Sequence, residues 1–201
     1  MITITKQHIE KIDYYCSFGL VKGLGERKEG GMCVEAMIAT VLGKEKHTDN
    51  NNDCVLPLLN SIKIALNDSV WSSNIARAKG MRNLAIAQLG TAGFDTDEFD
   101  RKLKEHSNKR ILPYLVQKHK EKEPEEAGKL DELCVGGWNE ETRVKVYHNY
   151  YYYNNYYYYN NYYYYYYYYN YHNLGDTILL LVADTILDVL KEMKSPGCEW
   201  L

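Results

Sequence analysis

Apolar side chains recur at three- and four-residue spacing over most of the chain, and no alternating strand pattern appears outside one tyrosine-rich run. The pattern predicts an all-α fold. A first helix is expected from about Lys6 to Phe18, followed by a loop punctuated by Gly19, Gly23, Gly25, Gly30 and Gly31. A second runs from Met32 to Leu42, where Gly43 supplies a stop. Only Glu35 is charged and only Thr40 otherwise polar within it, so it reads as buried nearly all round. Beyond the polar loop 44–52, Asp53 is placed to cap a helix through Leu66, with Pro57 in its first turn. Asn67-Asp68-Ser69 breaks the pattern, and Ser72 or Ser73 caps the next helix. There Ile75, Ala78, Met81, Ala85 and Leu89 form an apolar stripe, Gly80 permits a close crossing, and Gly90 and Gly93 end the element.

Asp95 or Thr96 then starts a longer helical region to about Lys122, which Pro113 is expected to kink or split. A short acidic helix from Glu125 to Cys134 and a break at Gly136-Gly137 follow, and Asn139 with Glu140 and Glu141 reads as a new helix start. The last helix, about Asp176 to Met193, has one polar stripe (Thr177, Asp184, Asp188, Lys191) on an otherwise apolar surface and must pack on the core. Ser195-Pro196-Gly197 stops it, and Trp200-Leu201 is expected to tuck back against the body. The resulting organisation is a single helical domain: a core over 1–138, a low-complexity helical arm over 139–173, and a C-terminal helix over 174–201 that packs on the core.

The arm is dominated by Tyr147 to Asn173, a run of 27 residues made only of Tyr, Asn and His that holds 18 of the 21 tyrosines. All three residue types share codons with A in the middle and a pyrimidine last, so the run can grow by slippage of one short repeat. Helical flanks, and no proline or glycine before Gly175, favour a helix. An extended form would match the low-charge aromatic composition that stacks into cross-β assemblies. The tract therefore reads either as a tolerated repeat expansion or as a surface for self-association or a protein partner.

Net charge is −3, from 24 basic and 27 acidic side chains, so no overall field drives the molecule onto nucleic acid or an anionic membrane. A basic stretch, Arg101 to Lys122, holds eight Lys and Arg against two acids, but Glu123 to Glu141 answers it with seven acids against one lysine. Mutual neutralisation is the simpler reading, and nucleic acid is not an expected partner. No apolar run approaches the ~20 residues that span a bilayer, and the start of the chain has no export-like stretch. The five cysteines fit no metal-knuckle or thioredoxin spacing, which with the preceding features implies a reduced, cytoplasmic protein. No cofactor is implied. Cys33, His47 and Cys54 with Asp49 or Asp53 match no familiar zinc spacing, so no metal site is expected.

Two segments carry candidate chemistry. Residues 31–37, Gly-Met-Cys-Val-Glu-Ala-Met, put Cys33 in the first turn of a buried helix behind a glycine-rich loop, where unpaired N–H groups and the helix dipole favour a thiolate. Buried packing is the competing reading of that cysteine. Glu35 on the same helix needs a partner or a role, and Arg77 or Arg82 is the expected partner. The second segment, Asn67 to Arg77, is dense in short polar side chains around one tryptophan. Asn67, Asp68, Ser72, Asn74 and Arg77 are placed to read the edges of a small polar ligand and Trp71 to stack on it, or the stretch is a capped interhelical turn.

Cys33 through Ala36-Met37-Ile38 to Gly43 is faintly similar to the nucleophile helix of papain-like and bacteriocin-processing cysteine peptidases. His106 and His119, however, lie in a basic helical segment without the strand that such an enzyme's histidine needs. A broader likeness joins Gly23-Leu24-Gly25, Gly31 to Ala36, Cys54-Val55, Lys63 to Asp68, Trp71 to Asn74, Leu84 to Gly90 and the ending Lys194 to Leu201. These segments resemble a family of uncharacterised helical proteins of bacteria and their phages, whose region before the C-terminal helix is rich in Ala, Asp and Tyr. The resemblance implies a helical arm and no activity. A non-enzymatic interaction protein is the first functional expectation. The alternative is a cysteine-dependent enzyme or small-ligand binder using Cys33, Glu35 and the 67–77 segment.

Overall fold

Thr5 and His8 open the first helix reciprocally: the Thr5 hydroxyl accepts the His8 N–H, and the His8 ring accepts the Thr5 N–H. The computed structural model describes residues 3–122 and 175–201. Among them lie α1 (Lys6–Ser17), α2 (Val34–Val41), α3 (Pro57–Asp68), α4 (Asn74–Ala87), α5 (Thr96–Lys122) and α6 (Asp176–Glu192), closed by a 3-10 turn at Pro196–Trp200. The fold is all-α. The described residues contain no strand, only an isolated antiparallel bridge between Gly25 and Met32. The helix expected at Glu125–Cys134 and the arm 139–173 lie outside the described residues.

The hub is α4, which touches α1, α2, α6 and the 3-10 turn. It approaches its neighbours closely because Gly80 has no side chain: a Cβ there would fall 2.3 Å from the Trp71 ring. Trp71 in turn donates its indole N–H to the Leu66 carbonyl at 3.0 Å, fastening the α3–α4 turn. Ala78, Met81, Ala85 and Leu89 are buried as the apolar stripe predicts, but Ile75 is exposed and Arg77 takes its place inside. Ser73 is the cap, its hydroxyl accepting the Ala76 N–H at 3.0 Å.

Two helix starts differ from expectation. Helix α2 begins at Val34, with Cys33 as its N-cap in extended geometry, and not at Met32. Helix α3 begins at Pro57, without a side-chain cap. Proline suits the first helical position and holds the residue before it out of helical geometry, so Leu56 at ψ 124° cannot extend the helix back toward Asp53. Asp53 pairs with Lys44 at 2.5 Å.

Helix α5 starts with Asp95 accepting the Glu98 N–H at 2.7 Å and carries Pro113 inside its run. It packs antiparallel to α6, since Lys102 and His106 both reach Glu192 while Arg110 reaches Asp188. Hydrogen bonds from Lys102 and His106 hold the Glu192 carboxyl down at about 2. The start of α6 is pinned elsewhere: Asp176 accepts the backbone N–H of Ser72 at 2.8 Å and its hydroxyl as well. After α6, the Ser195 hydroxyl donates to the Ala87 carbonyl, and Gly197 lies so close that a Cβ would sit 2.0 Å from the Ile86 oxygen. Pro196 and Gly197 therefore make the close return contact, while Trp200 and Leu201 stay 37% and 46% exposed. No helix among the described residues is long and apolar enough to cross a membrane.

Candidate functional site

The polar residues between Asn67 and Arg77 are spent on other parts of the chain. Asn67, at the end of α3, accepts the Val34 N–H at 3.2 Å, one of the orphan donors of the α2 start, and donates to the Val21 carbonyl at 2.9 Å. Asp68 accepts the Gly23 N–H at 2.8 Å. Arg77 reaches across the same junction: Nε donates to the Asn67 carbonyl at 2.7 Å, and Nη1 to the Leu20 carbonyl at 2.8 Å and to Asn74 Oδ1 at 2.7 Å. Burial lowers the Arg77 pKa from its ordinary value, with Asp68 and Asp176 opposing. With Trp71 on Leu66 and Ser72 on Asp176, every residue of the expected ligand-binding set is occupied by an internal contact. The glycine-rich loop is thus stitched to the α3–α4 turn by side chains that replace a missing sheet or helix partner.

Glu35 has a different partner from either expected arginine. Arg82 pairs with Asp13 at 2.6 Å, and Arg77 is committed as above. The partner is Lys63, on α3. Its Nζ lies 2.7 Å from Glu35 Oε1, both side chains being fully buried. Glu35 Oε2 accepts from Asn51 Nδ2 at 2.7 Å and from Gln88 Nε2 at 3.4 Å. Asn51 also donates to the Glu35 carbonyl at 2.9 Å, and its N–H is received by Asn60 Oδ1 at 3.3 Å. Glu35, Asn51, Lys63 and Gln88 are all 0% exposed. Burial lowers the Lys63 pKa from the usual lysine range, opposed by the carboxylate beside it. Asn51 Oδ1 and Gln88 Oε1 have no hydrogen-bond donor within this cluster.

Lys63 and Gln88 did not stand out in the sequence, yet the signal was there. Leu59, Ile62, Lys63 and Leu66 share one helical face, as do Met81, Leu84, Ala85 and Gln88. A polar residue on each of two apolar faces, matched to a carboxylate on a third apolar helix, is the pattern of a shared interior cluster. Asn51 lies in a loop, where periodicity gives no such warning.

Cys33 caps α2 by accepting the Ala36 N–H on sulfur at 3.3 Å. Desolvation outweighs that bond and pushes the thiol up to about 11. The helix-start position expected to favour a thiolate is therefore overridden by burial. His106, one of the histidines considered as a catalytic base, is engaged by Glu192 at 2.8 Å. Among the described residues no three His, Cys, Asp or Glu side chains converge to hold a metal ion. His47 faces the Gly25 carbonyl at 3.0 Å.

An open depression of about 500 Å³ is lined by Tyr15, Arg27, Lys28, Glu29 and Met32, and none of the candidate site residues borders it. Its charges are already engaged: Arg27 donates to the Lys44 carbonyl, Lys28 pairs with Glu26, and Glu29 receives the Tyr14 hydroxyl. Comparison with protein-family models, with curated proteins and with solved structures finds no match.

Proposed function

We propose that the chain is a non-enzymatic interaction protein whose helical body presents the low-complexity segment between α5 and α6 for self-association. One observation carries this reading. Helices α5 and α6 are antiparallel and tied by Lys102, His106 and Arg110 to Glu192 and Asp188. Beyond the Arg110–Asp188 contact each runs for about 18 Å at ~1.5 Å per residue, so Lys122 and Asp176 come to the same end of the pair. The described residues that flank 123–174 therefore lie at one end of the body, and the tyrosine-rich composition of that stretch suits a contact surface, since tyrosine supplies aromatic area at low side-chain entropy cost. Kinship with uncharacterised bacterial and phage proteins of similar layout remains part of the proposal.

The internal hydrogen bonds of Asn67 and Arg77 and the raised thiol of Cys33 favour this reading over the enzyme or ligand-binding alternative. Sedimentation velocity across a wide concentration range tests the proposal. The wild-type chain is expected to show a concentration-dependent oligomer, and a variant with residues 147–173 replaced by an alanine-rich helix a monomer. A wild-type monomer at every concentration, or an oligomer unchanged by the replacement, would contradict it.

A further inference from the structure

A lysine amine, a carboxamide and a carboxyl group held together away from water are the components of spontaneous amide exchange between side chains. Here the carboxyl group bridges the other two: Glu35 Oε1 meets Lys63 Nζ at 2.7 Å and Oε2 meets Asn51 Nδ2 at 2.7 Å. All three side chains are fully buried. The reactants come from different segments, Asn51 from the loop before α3 and Lys63 from its second turn, so the fold and not chain proximity brings them to one carboxylate. Asn51 Oδ1 has no hydrogen-bond donor within the cluster. Two charges in an apolar interior cost several kcal/mol each, and transfer of the amine proton to the carboxylate removes both.

We propose that Lys63 and Asn51 form an intramolecular isopeptide bond in the folded core, with Glu35 as the proton carrier. The ammonium first gives a proton to the Glu35 carboxylate, leaving a neutral amine whose lone pair attacks Asn51 Cγ. The Nζ–Cγ bond forms while the carbonyl electrons move to Oδ1. Glu35 then delivers its proton to Nδ2, which its Oε2 meets at 2.7 Å, and takes one from Nζ beside its Oε1. The Cγ–Nδ2 bond breaks, the carbonyl reforms, and Nδ2 leaves as ammonia. The products are a secondary amide, ammonia and a protonated Glu35, with no oxidant or cofactor consumed. Burial favours the neutral amine and keeps water from competing for the carbonyl. Gln88 is the rival carboxamide, but its amide nitrogen lies farther from the shared oxygen, at 3.4 Å.

Mass spectrometry of the purified full-length chain under denaturing conditions tests this directly. The expected mass is lighter than that calculated from the sequence by one ammonia. Trypsin is expected to spare the bond after Lys63 and to yield one peptide covering 47–77, with fragment ions that join Asn51 to Lys63. Lys63→Met, Asn51→Ala and Glu35→Gln are each expected to lose the modification. The full calculated mass with normal cleavage after Lys63 would overturn the proposal without recourse to any variant. An ammonia loss at Asn51 with Lys63 still cleavable would overturn it in favour of ring closure on the backbone. A link from Lys63 to Gln88 would overturn the assignment of Asn51.

Discussion

Lys63→Met is expected to cost about 3–5 kcal/mol of folding stability, the largest loss for any single substitution considered, because it removes the link to Asn51 and the cation that offsets the Glu35 carboxylate before that link forms. Domains of this size have a total stability of about 5–15 kcal/mol, so the variant is expected to lie close to the edge of folding. Methionine keeps the length and most of the volume of lysine, which separates the charge effect from a cavity. Adding Glu35→Gln to the same chain is expected to return part of the loss, since the interior then holds no ion while Asn51 and Gln88 retain a polar partner. Urea denaturation followed by far-ultraviolet circular dichroism measures both. A single variant as stable as wild type would mean that neither the Lys63–Glu35 contact nor the link to Asn51 holds the fold together.

Arg77→Ala is expected to cost about 2–4 kcal/mol, from the buried carbonyls of Leu20 and Asn67 that lose their donor and the packing lost with the side chain. The effect is expected to be local as well as global. Arg77 joins the loop after α1 to the end of α3 and the start of α4, so hydrogen exchange is expected to speed up over residues 20–34 even under conditions where the remainder stays folded. Arg77→Lys keeps the charge but not the fork that meets three acceptors, and is expected to fall between alanine and wild type. A variant with wild-type stability and exchange would show that the arginine is dispensable to the junction, and would leave it available for a ligand.

The helices were legible because their periodicity and punctuation agree. Thr5, Ser73, Gly43 and Gly90 mark boundaries by local chemistry that no distant contact overrules. The errors occur where two local signals compete. Asp53 is a good cap, but Pro57 decides where α3 begins; Cys33 looked like a first-turn residue and is the cap itself. The candidate site was legible as a set of residues and not as a geometry. Asn67, Asp68, Trp71, Ser72, Asn74 and Arg77 do cluster, yet they are engaged within the chain: Asn67, Asp68 and Arg77 serve carbonyls and an N–H of the glycine-rich loop, which needs partners, while Trp71 and Ser72 bond to Leu66 and Asp176. Glu35 signalled the need for a cation, but charge alone named the arginines of α4. Only the helical face shared by Lys63 with Leu59 and Leu66 points to the true partner.

The central claim is that Cys33 and the Trp71 turn hold the fold together, Cys33 as the cap of α2 and not as a nucleophile. The rate of Cys33 alkylation in the native protein, followed against pH, tests it most directly. The account predicts slow reaction at neutral pH, speeding up only as pH rises toward the thiol's value of about 11 or when denaturant opens the core. Rapid labelling of Cys33 at neutral pH, ahead of Cys16, Cys54 and Cys198 and with an apparent pKa below that of an ordinary thiol, would contradict it.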